Sequence, residues 1–363
     1  MNALASFLTS RARRLTGRAD GLRYVYLETH GVCPNRCGMC PARAGGKRRP
    51  RMGRGLFESI VRELGERGFD GELHLYGHNE PLLDPRIFEL AGLAHALAPK
   101  AKIMLISNFT RLRQGDVERL LAAPLSRLTV SLYAADAQTY ERVCGTGRFE
   151  TVLENVKRFA LAWSRRRPFA FSASILRSEA LADPEAARRL LETLPVSWWS
   201  MPPAVSLRGL TGTVPETAWR FGECLFDTVK ITGDGAVTPC MVDPDAALRI
   251  GHAARDGLYA SFDGERARAL RRELFFTSGE SRPTFCRHCA YARDHKILYF
   301  LMPDGARSRL LERLDPGLKA ASAVSQHFNT REETTRKAQA LARELEATRT
   351  GLGRTPEDAR GEA

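Results

Sequence analysis

RYVYLETHGVCPNRCGMCP, residues 23–41, decides how the rest of this chain is read. Its opening run, Arg23 to Glu28, is strand-like. Cys33, Cys37 and Cys40 follow directly, spaced C-x-x-x-C-x-x-C. Three thiolates from one loop can hold an iron–sulfur cube and leave its fourth iron without a protein ligand. Structural zinc sites want four ligands, usually as paired knuckles. Here His30 precedes the first cysteine by three residues and no histidine stands at knuckle spacing. An open iron is a place where a cosubstrate can bind and be reduced.

Beyond the loop, strand and helix alternate. Strands are expected at Glu72–Gly77, Lys102–Asn108, Arg127–Tyr133, Phe169–Leu176 and, more weakly, Val196–Met201. Amphipathic stretches lie between them, at about 55–68, 85–97, 113–123, 149–164 and 183–194, with apolar residues such as Val152, Val156 and Phe159 at helical spacing. This alternation predicts an α/β fold on a parallel sheet, and six βα units predict a partial, open (β/α)6 barrel of TIM type. In such sheets chemistry gathers at the C-terminal ends of strands, and the cysteine loop sits just past the end of the first.

The style changes after about residue 205. A Gly/Pro-punctuated connection leads to DTVKIT, a turn at Gly233–Gly235 and AVTPC, which reads as a β-hairpin. Cys224 precedes the hairpin, Cys240 ends it, and Cys286 and Cys289 form a distal C-x-x-C. Four thiolates so arranged can enclose a metal completely, and on generic grounds that metal is zinc. From about residue 329 the tail reads as a charged helix, with a disordered end.

The chain resembles the radical S-adenosylmethionine (SAM) superfamily over roughly residues 23–300, on more than the cysteine triad. LYGHNEPLLDP (75–85) is similar to that family's Gly-Gly-Glu stretch, ISN (106–108) to its Thr-Asn-Gly, and SLYA (131–134) ends the fourth strand where the family often places a serine. TYERVCGTGRFETVLENVKRF (139–159) looks like the family's helix after that strand. The resemblance implies a [4Fe–4S] cluster on Cys33, Cys37 and Cys40. It also implies a SAM site drawn from Met39, Gly77, Glu80, Ser107, Asn108 and Ser131, with Glu80 receiving the SAM amino group. Two positions depart from the family: Met39 stands where an aromatic residue usually touches adenine, and Asn79 replaces the second glycine of the acid motif. The implied chemistry is one-electron cleavage of SAM to methionine and a 5′-deoxyadenosyl radical, which takes a hydrogen atom from a substrate carbon.

The second cysteine set resembles the twitch domain, the short relative of the SPASM domain, which carries one auxiliary [4Fe–4S] cluster. Gly235 to Cys240 fits its Gly-x-x-x-x-Cys motif, and residues 249–273 resemble its connecting helix. Ligation by Cys224, Cys240, Cys286 and Cys289 favours an electron conduit or anchor over direct substrate binding. The expected organisation is an N-terminal extension (1–22), the barrel (23–205), a small α+β twitch domain (206–300) and a helical, partly disordered tail (301–363).

Cys144 remains over, in the region after the fourth strand. It reads either as a small buried residue or as a hydrogen-atom donor like that of radical SAM epimerases. Ser172 and Ser174 share one face of the fifth strand and read as pocket-lining or barrel-filling. Arg177 stands at that strand's end, where it can meet a carboxylate of SAM or substrate. Trp198 and Trp199 read as core edge. His74 and His78 flank the acid motif, with His78 the better placed for a pocket.

The chain has 363 residues and a net charge of +13, of which residues 1–60 carry +9. Arg43, Lys47, Arg48, Arg49, Arg51 and Arg54 follow the cysteine loop. That run reads as a solvated face, a polyanion contact, or a dock for an acidic one-electron donor such as a flavodoxin or ferredoxin; no aromatic interleaving or helix-turn-helix accompanies it to support nucleic acid. No apolar run is long enough to span a membrane. Eight cysteines without a secretion signal point to metal ligands and a cytoplasmic enzyme. The leading expectation is oxidation of an alcohol carbon on a polar small molecule, a sugar or aminocyclitol. A radical epimerase using Cys144, a peptide-modifying maturase and a zinc-stabilised nucleic-acid module stay open beside it.

Overall fold

The structure is a computed structural model that describes residues 16–19, 21–44, 50–176, 183–201, 220–221, 224–241, 243–276, 294–295, 326–327 and 329–352. The first strand, β1 (Tyr24–Leu27), is followed by α1 (Arg54–Glu66), β2 (Glu72–His74), α2 (Ile87–Leu97), β3 (Lys102–Ser107) and α3 (Gln114–Ala122). Then come β4 (Arg127–Tyr133), α4 (Ala137–Cys144), α5 (Phe149–Arg166), β5 (Ala170–Leu176), α6 (Pro184–Thr193) and β6 (Ser197–Met201). The helices form because their apolar residues repeat at helical spacing. In α1 the buried set is Phe57, Ile60, Val61 and Leu64, and in α5 it includes Val152, Val156, Phe159 and Trp163.

Strands β1 to β6 lie side by side and parallel. Paired residues share a face, so the register sorts the side chains. Val25, Leu73, Ile103, Leu105, Leu128 and Phe171 point under the helices. There Phe171 packs on Phe159 with ring centroids 4.9 Å apart and on Trp163 at 5.6 Å. The opposite, concave face carries Tyr24, Tyr26, His74, Met104, Ile106, Thr129, Ser172 and Ser174. A parallel sheet buried on both sides would be apolar on both. The polar concave face therefore marks the side on which a barrel keeps its interior.

Downstream lie β7 (Arg220–Phe221), the one-turn helix α7 (Cys224–Asp227), β8 (Thr228–Ile231), β9 (Ala236–Thr238) and β10 (Gly251–His252). The expected hairpin is β8–β9, antiparallel, turning through Gly235 at φ 92°. It is not set apart from the barrel sheet: β8 pairs in parallel with β1, from Tyr24↔Thr228 to Leu27↔Ile231. The connecting segment expected as one helix is three, α8 (Ala253–Asp256), α9 (Leu258–Asp263) and α10 (Glu265–Phe276), broken at Gly257 and Gly264. Two short strands, β11 (Asp294–His295) and β12 (Gln326–His327), precede α11 (Arg331–Leu352). β12 runs antiparallel on β6, and among the described residues β11 pairs only with β7. The sheet order is β10-β9-β8-β1-β2-β3-β4-β5-β6-β12, an open barrel whose ends do not meet.

Buried Arg271 ties the downstream helices to the rest. Its guanidinium donates to the carbonyls of Leu225 at 2.6 Å, Gly17 at 3.2 Å and Phe262, and meets Asp263 Oδ1 at 3.2 Å. Desolvation lowers its pKa to about 10. The tail helix α11 lies on α5, where Lys157 Nζ reaches Glu344 at 2.7 Å. Of the basic run, Arg51 approaches Asp84 at 3.8 Å and Arg54 pairs with Glu89; Lys47, Arg48 and Arg49 lie outside the described residues. No helix among those described is long and apolar enough to cross a membrane.

Candidate functional site

The cysteine loop leaves β1 and is clamped on two sides. On one side, His30 braces it: Val32 N–H donates to His30 Nδ1 at 3.1 Å, and the other ring nitrogen lies 3.0 Å from the Glu80 carbonyl. With Nδ1 accepting, the ring proton sits on Nε2 and donates to that carbonyl. Burial lowers the His30 pKa. On the other side, Arg36 N–H and Gly38 N–H donate to the carbonyls of Cys144 and Val143, each at 2.9 Å. These are orphan carbonyls of the last turn of α4, so the helix end and the loop complete each other. Gly145 closes that helix at φ 65°, and a Cβ there would stand 2.7 Å from the Arg36 carbonyl oxygen. Cys144, expected in a loop, is thus the last residue of a helix, because its glycine neighbour supplies the left-handed cap.

Cys33 is exposed, and Cys37 and Cys40 are half-buried; none of them is in a disulfide. Desolvation pushes the Cys33 thiol up to about 12. Cys37 is raised further, first by a hydrogen bond with Cys144 and then by burial. The protein alone does not favour thiolates here, and a bound cation would supply that stabilisation. Among the described residues no three His, Cys, Asp or Glu side chains converge as a metal group. The donor chemistry nonetheless fits an iron–sulfur cluster: three soft thiols on one braced loop.

Glu80 organises the strand ends around this loop. Its carboxylate accepts from Ser107 Oγ at 2.6 Å, Asn108 N–H at 2.7 Å and Leu82 N–H at 3.0 Å. It is 1% exposed, and desolvation raises its pKa to about 7 against the pull of those donors. The Asn108 side-chain amide in turn reaches Cys33 Sγ at 3.6 Å. Glu80, Ser107, Asn108 and Cys33 are therefore one connected group. Ser131 is buried on β4, two residues before Tyr133. Gly77 is needed for contact: a Cβ there would meet Glu28 Oε2 at 2.6 Å. Asn79 does not take the left-handed backbone that a glycine substitute suggests; its side chain instead accepts from Gly77 N–H at 2.8 Å. Met39 is buried in the apolar core. Phe109 and Tyr133, at the ends of β3 and β4, hold φ of 54° and 63°, a strained backbone of the kind that collects at functional sites.

On the concave face, His74 stacks on Tyr26 with centroids 4.2 Å apart and meets Tyr76 edge-on at 5.3 Å. Its Nε2 lies 3.1 Å from Glu72 Oε2. Desolvation lowers its pKa despite that carboxylate. His78 instead turns to Glu28, with Nδ1 3.6 Å from Oε2. Ser172 bonds Thr129 at 3.0 Å and Ser174 donates to the Val130 carbonyl at 3.3 Å, so both fill the barrel and spend their hydroxyls locally. Of the second cysteine set, Cys224 opens α7 and Cys240 is buried just past β9. Cys286, Cys289 and Arg177 lie outside the described residues, as do the side chains of Trp198 and Trp199. The bracing by His30, the Glu28 contact and the Tyr133 strain have no local sequence signature. The His74–Glu72 pairing is signalled only by their two-residue spacing along a strand.

Three thiols past the first strand of an open parallel βα barrel suit an iron–sulfur cluster in their chemistry. The family model of the Radical SAM superfamily matches residues 27–166, and that of the SPASM iron–sulfur cluster-binding domain matches residues 223–290. The chain belongs to the radical SAM superfamily and carries a C-terminal domain of the SPASM/twitch kind. That membership brings a [4Fe–4S] cluster with SAM and auxiliary iron–sulfur ligation. Among solved structures, anSMEcpe with bound AdoMet and the Cp18Cys peptide is 13% identical, with a TM-score of 0.55 over 84% of this chain and 100% of that one. SuiB of Streptococcus suis bound to S-adenosylmethionine is 13% identical, with a TM-score of 0.51 over 72% and 70%. BtrN in complex with AdoMet and 2-DOIA is 14% identical, with a TM-score of 0.48 over 70% and 87%. No curated protein sequence matches the chain.

Proposed function

We propose that this radical SAM enzyme oxidises an alcohol carbon of a polar small molecule held on the concave face of the barrel. The observation that carries the reading is a base without a competing donor: neither ring nitrogen of buried His74 has an aligned hydrogen-bond partner among the described residues, and the Glu72 carboxylate lies 3.1 Å from Nε2. When bound, the clusters and SAM supply the one-electron chemistry: a 5′-deoxyadenosyl radical to take a hydrogen atom, and an acceptor for the electron that remains. The chain's residues supply the rest. Cys33, Cys37 and Cys40 would hold the first cluster, and Cys224, Cys240, Cys286 and Cys289 the second. Glu80 would meet the SAM ammonium, with Gly77, Ser107, Asn108, Ser131 and Met39 around it.

Converting an alcohol to a ketone removes a hydrogen atom, a proton and an electron. The proton falls to His74, whose neutral imidazole is favoured by burial and oriented by Glu72. An epimerase would need a hydrogen donor on the substrate side instead. Cys144, the candidate for that role, has 0% exposure at the end of α4, which supports oxidation over epimerisation. Peptide modification is the second reading, suggested by the peptides named with two of the neighbouring folds.

Anaerobically reconstituted enzyme, SAM, a one-electron donor and a panel of sugars and aminocyclitols test this. The reading expects 5′-deoxyadenosine together with a product lighter by two hydrogens. A product of unchanged mass with an inverted centre, or turnover only on peptides, overturns it.

A further inference from the structure

His30 lies three residues before Cys33 and is 5% exposed. Both of its ring nitrogens are engaged: Val32 N–H donates to Nδ1 at 3.1 Å, and Nε2 donates to the Glu80 carbonyl at 3.0 Å. Glu80 N–H returns to the Val32 carbonyl at 2.9 Å. The three bonds close a ring that takes both backbone polar groups of Val32 and both of Glu80. The Glu80 carbonyl also accepts from Leu83 N–H at 3.0 Å, so the ring runs on into the turn after the acid. Cys33 is the residue next to Val32. From the other side Asn108 makes a second span, with its N–H on Glu80 Oε2 at 2.7 Å and its side-chain amide 3.6 Å from Cys33 Sγ. The first thiol and the buried acid are therefore tied together twice.

We infer that His30 is a positioning residue for SAM: by bridging the Val32 amide and the Glu80 carbonyl, it fixes the acid at one distance from the first cluster thiol. The inference rests on the radical SAM reading of that loop. The single backbone bond from Glu80 to Val32 is a hinge, and the second path through His30 stops rotation about it. A ligand that must meet the cluster and the Glu80 carboxylate at once binds tightly when the two are already held apart by the right distance; otherwise binding has to order them first. Neutral imidazole suits the span, because its rigid ring carries an acceptor on one nitrogen and a donor on the other. Asn in its place keeps an acceptor for Val32, and Gln keeps a donor for Glu80. Neither keeps both ends, and a bridge needs both.

The experiment is equilibrium dialysis of SAM against the full, anaerobically reconstituted chain, with iron analysis and electron paramagnetic resonance on the same samples. His30→Ala, His30→Asn and His30→Gln should keep the parent's iron content and its SAM-free signal. Each should bind SAM about tenfold more weakly, the worth of about one hydrogen bond, and an equal loss in all three is the mark of a bridge. Parent-like affinity in His30→Ala overturns the inference. So does affinity restored by Asn or Gln alone, since one contact would then act without the other. Iron lost in step with affinity overturns it as well, because His30 would then serve the cluster loop and not the acid. A parent protein that neither takes up iron on this loop nor binds SAM would instead sink the radical SAM reading itself.

Discussion

The Asn108 side-chain amide donates to the Cys33 sulfur across 3.6 Å, so the end of β3 and the first thiol of the loop form one hydrogen-bonded unit. The same residue donates its backbone N–H to Glu80, and its side-chain oxygen accepts from Thr110 N–H at 3.0 Å and Thr110 Oγ1 at 2.6 Å. Replacing Asn108 by Ala removes the cysteine contact and loosens that turn. The reconstituted variant should bind SAM about threefold to tenfold more weakly, the worth of about one hydrogen bond. Equilibrium dialysis measures it, and unchanged affinity would remove Asn108 from the site.

Glu80 makes SAM binding depend on pH. Its pKa of about 7 lies above the ordinary 4.5 because burial disfavours the charge. An ammonium beside it needs the ionised form, so below pH 7 binding must expel a proton. Affinity should fall by up to about tenfold per pH unit below 7, and Glu80→Gln should flatten the profile. In the ligand-free chain the sign is opposite for stability. Glu80 holds its proton more tightly folded than unfolded, so its contribution declines as pH rises from 4.5 to about 7.

His74→Ala should separate the two halves of turnover. Substrate oxidation should drop by about 10²- to 10⁴-fold, the usual worth of a general base, while uncoupled release of 5′-deoxyadenosine continues. In the parent enzyme the acid limb of kcat should lie below pH 6.5, because desolvation lowers this imidazole's pKa from that value. A limb at or above 6.5 would point to another base.

Much of this was legible in the residues. Period-two runs and helical spacing located β1 to β6 and their helices, and the cysteine spacing located the loop. Two things were not. The second strand neighbour of β1, beside β2, is β8, a pairing set by tertiary packing about 200 residues along the chain and invisible to local pattern. The carbonyls of Val143 and Cys144 take N–H groups of the cysteine loop, a contact that the left-handed Gly145 leaves room for, and its single letter does not reveal which backbone it must admit. At Asn79, which stands in place of a glycine, the side chain holds the turn by accepting a hydrogen bond from Gly77 N–H, which residue type alone does not reveal.

Gly145→Ala should damage the loop at a distance. The added Cβ stands 2.7 Å from Arg36 O, on a backbone of φ 65°, which costs about 1–2 kcal/mol before any clash. Reconstitution should yield less iron at the first cluster and leave the auxiliary cluster full. Iron analysis against a Cys33/Cys37/Cys40 triple-Ala variant, which should lose about four irons per chain, sets the scale.

Arg271→Met should cost about 2–4 kcal/mol in denaturant melts, because it orphans the buried carbonyls of Leu225, Gly17 and Phe262. A change under about 0.5 kcal/mol would show that water replaces the guanidinium without loss.

The pairing of Thr228–Ile231 with β1 also sets an order of events during synthesis. Once β2 has been made and has paired with it, the strand that carries the cysteine loop still has one raw edge, and the piece that covers that edge has not been made. Until translation reaches the hairpin, β1 has a neighbour on β2 alone, and an uncovered strand edge invites pairing with other chains. A nascent chain halted near residue 200 would thus present its first three thiols on an unfinished barrel.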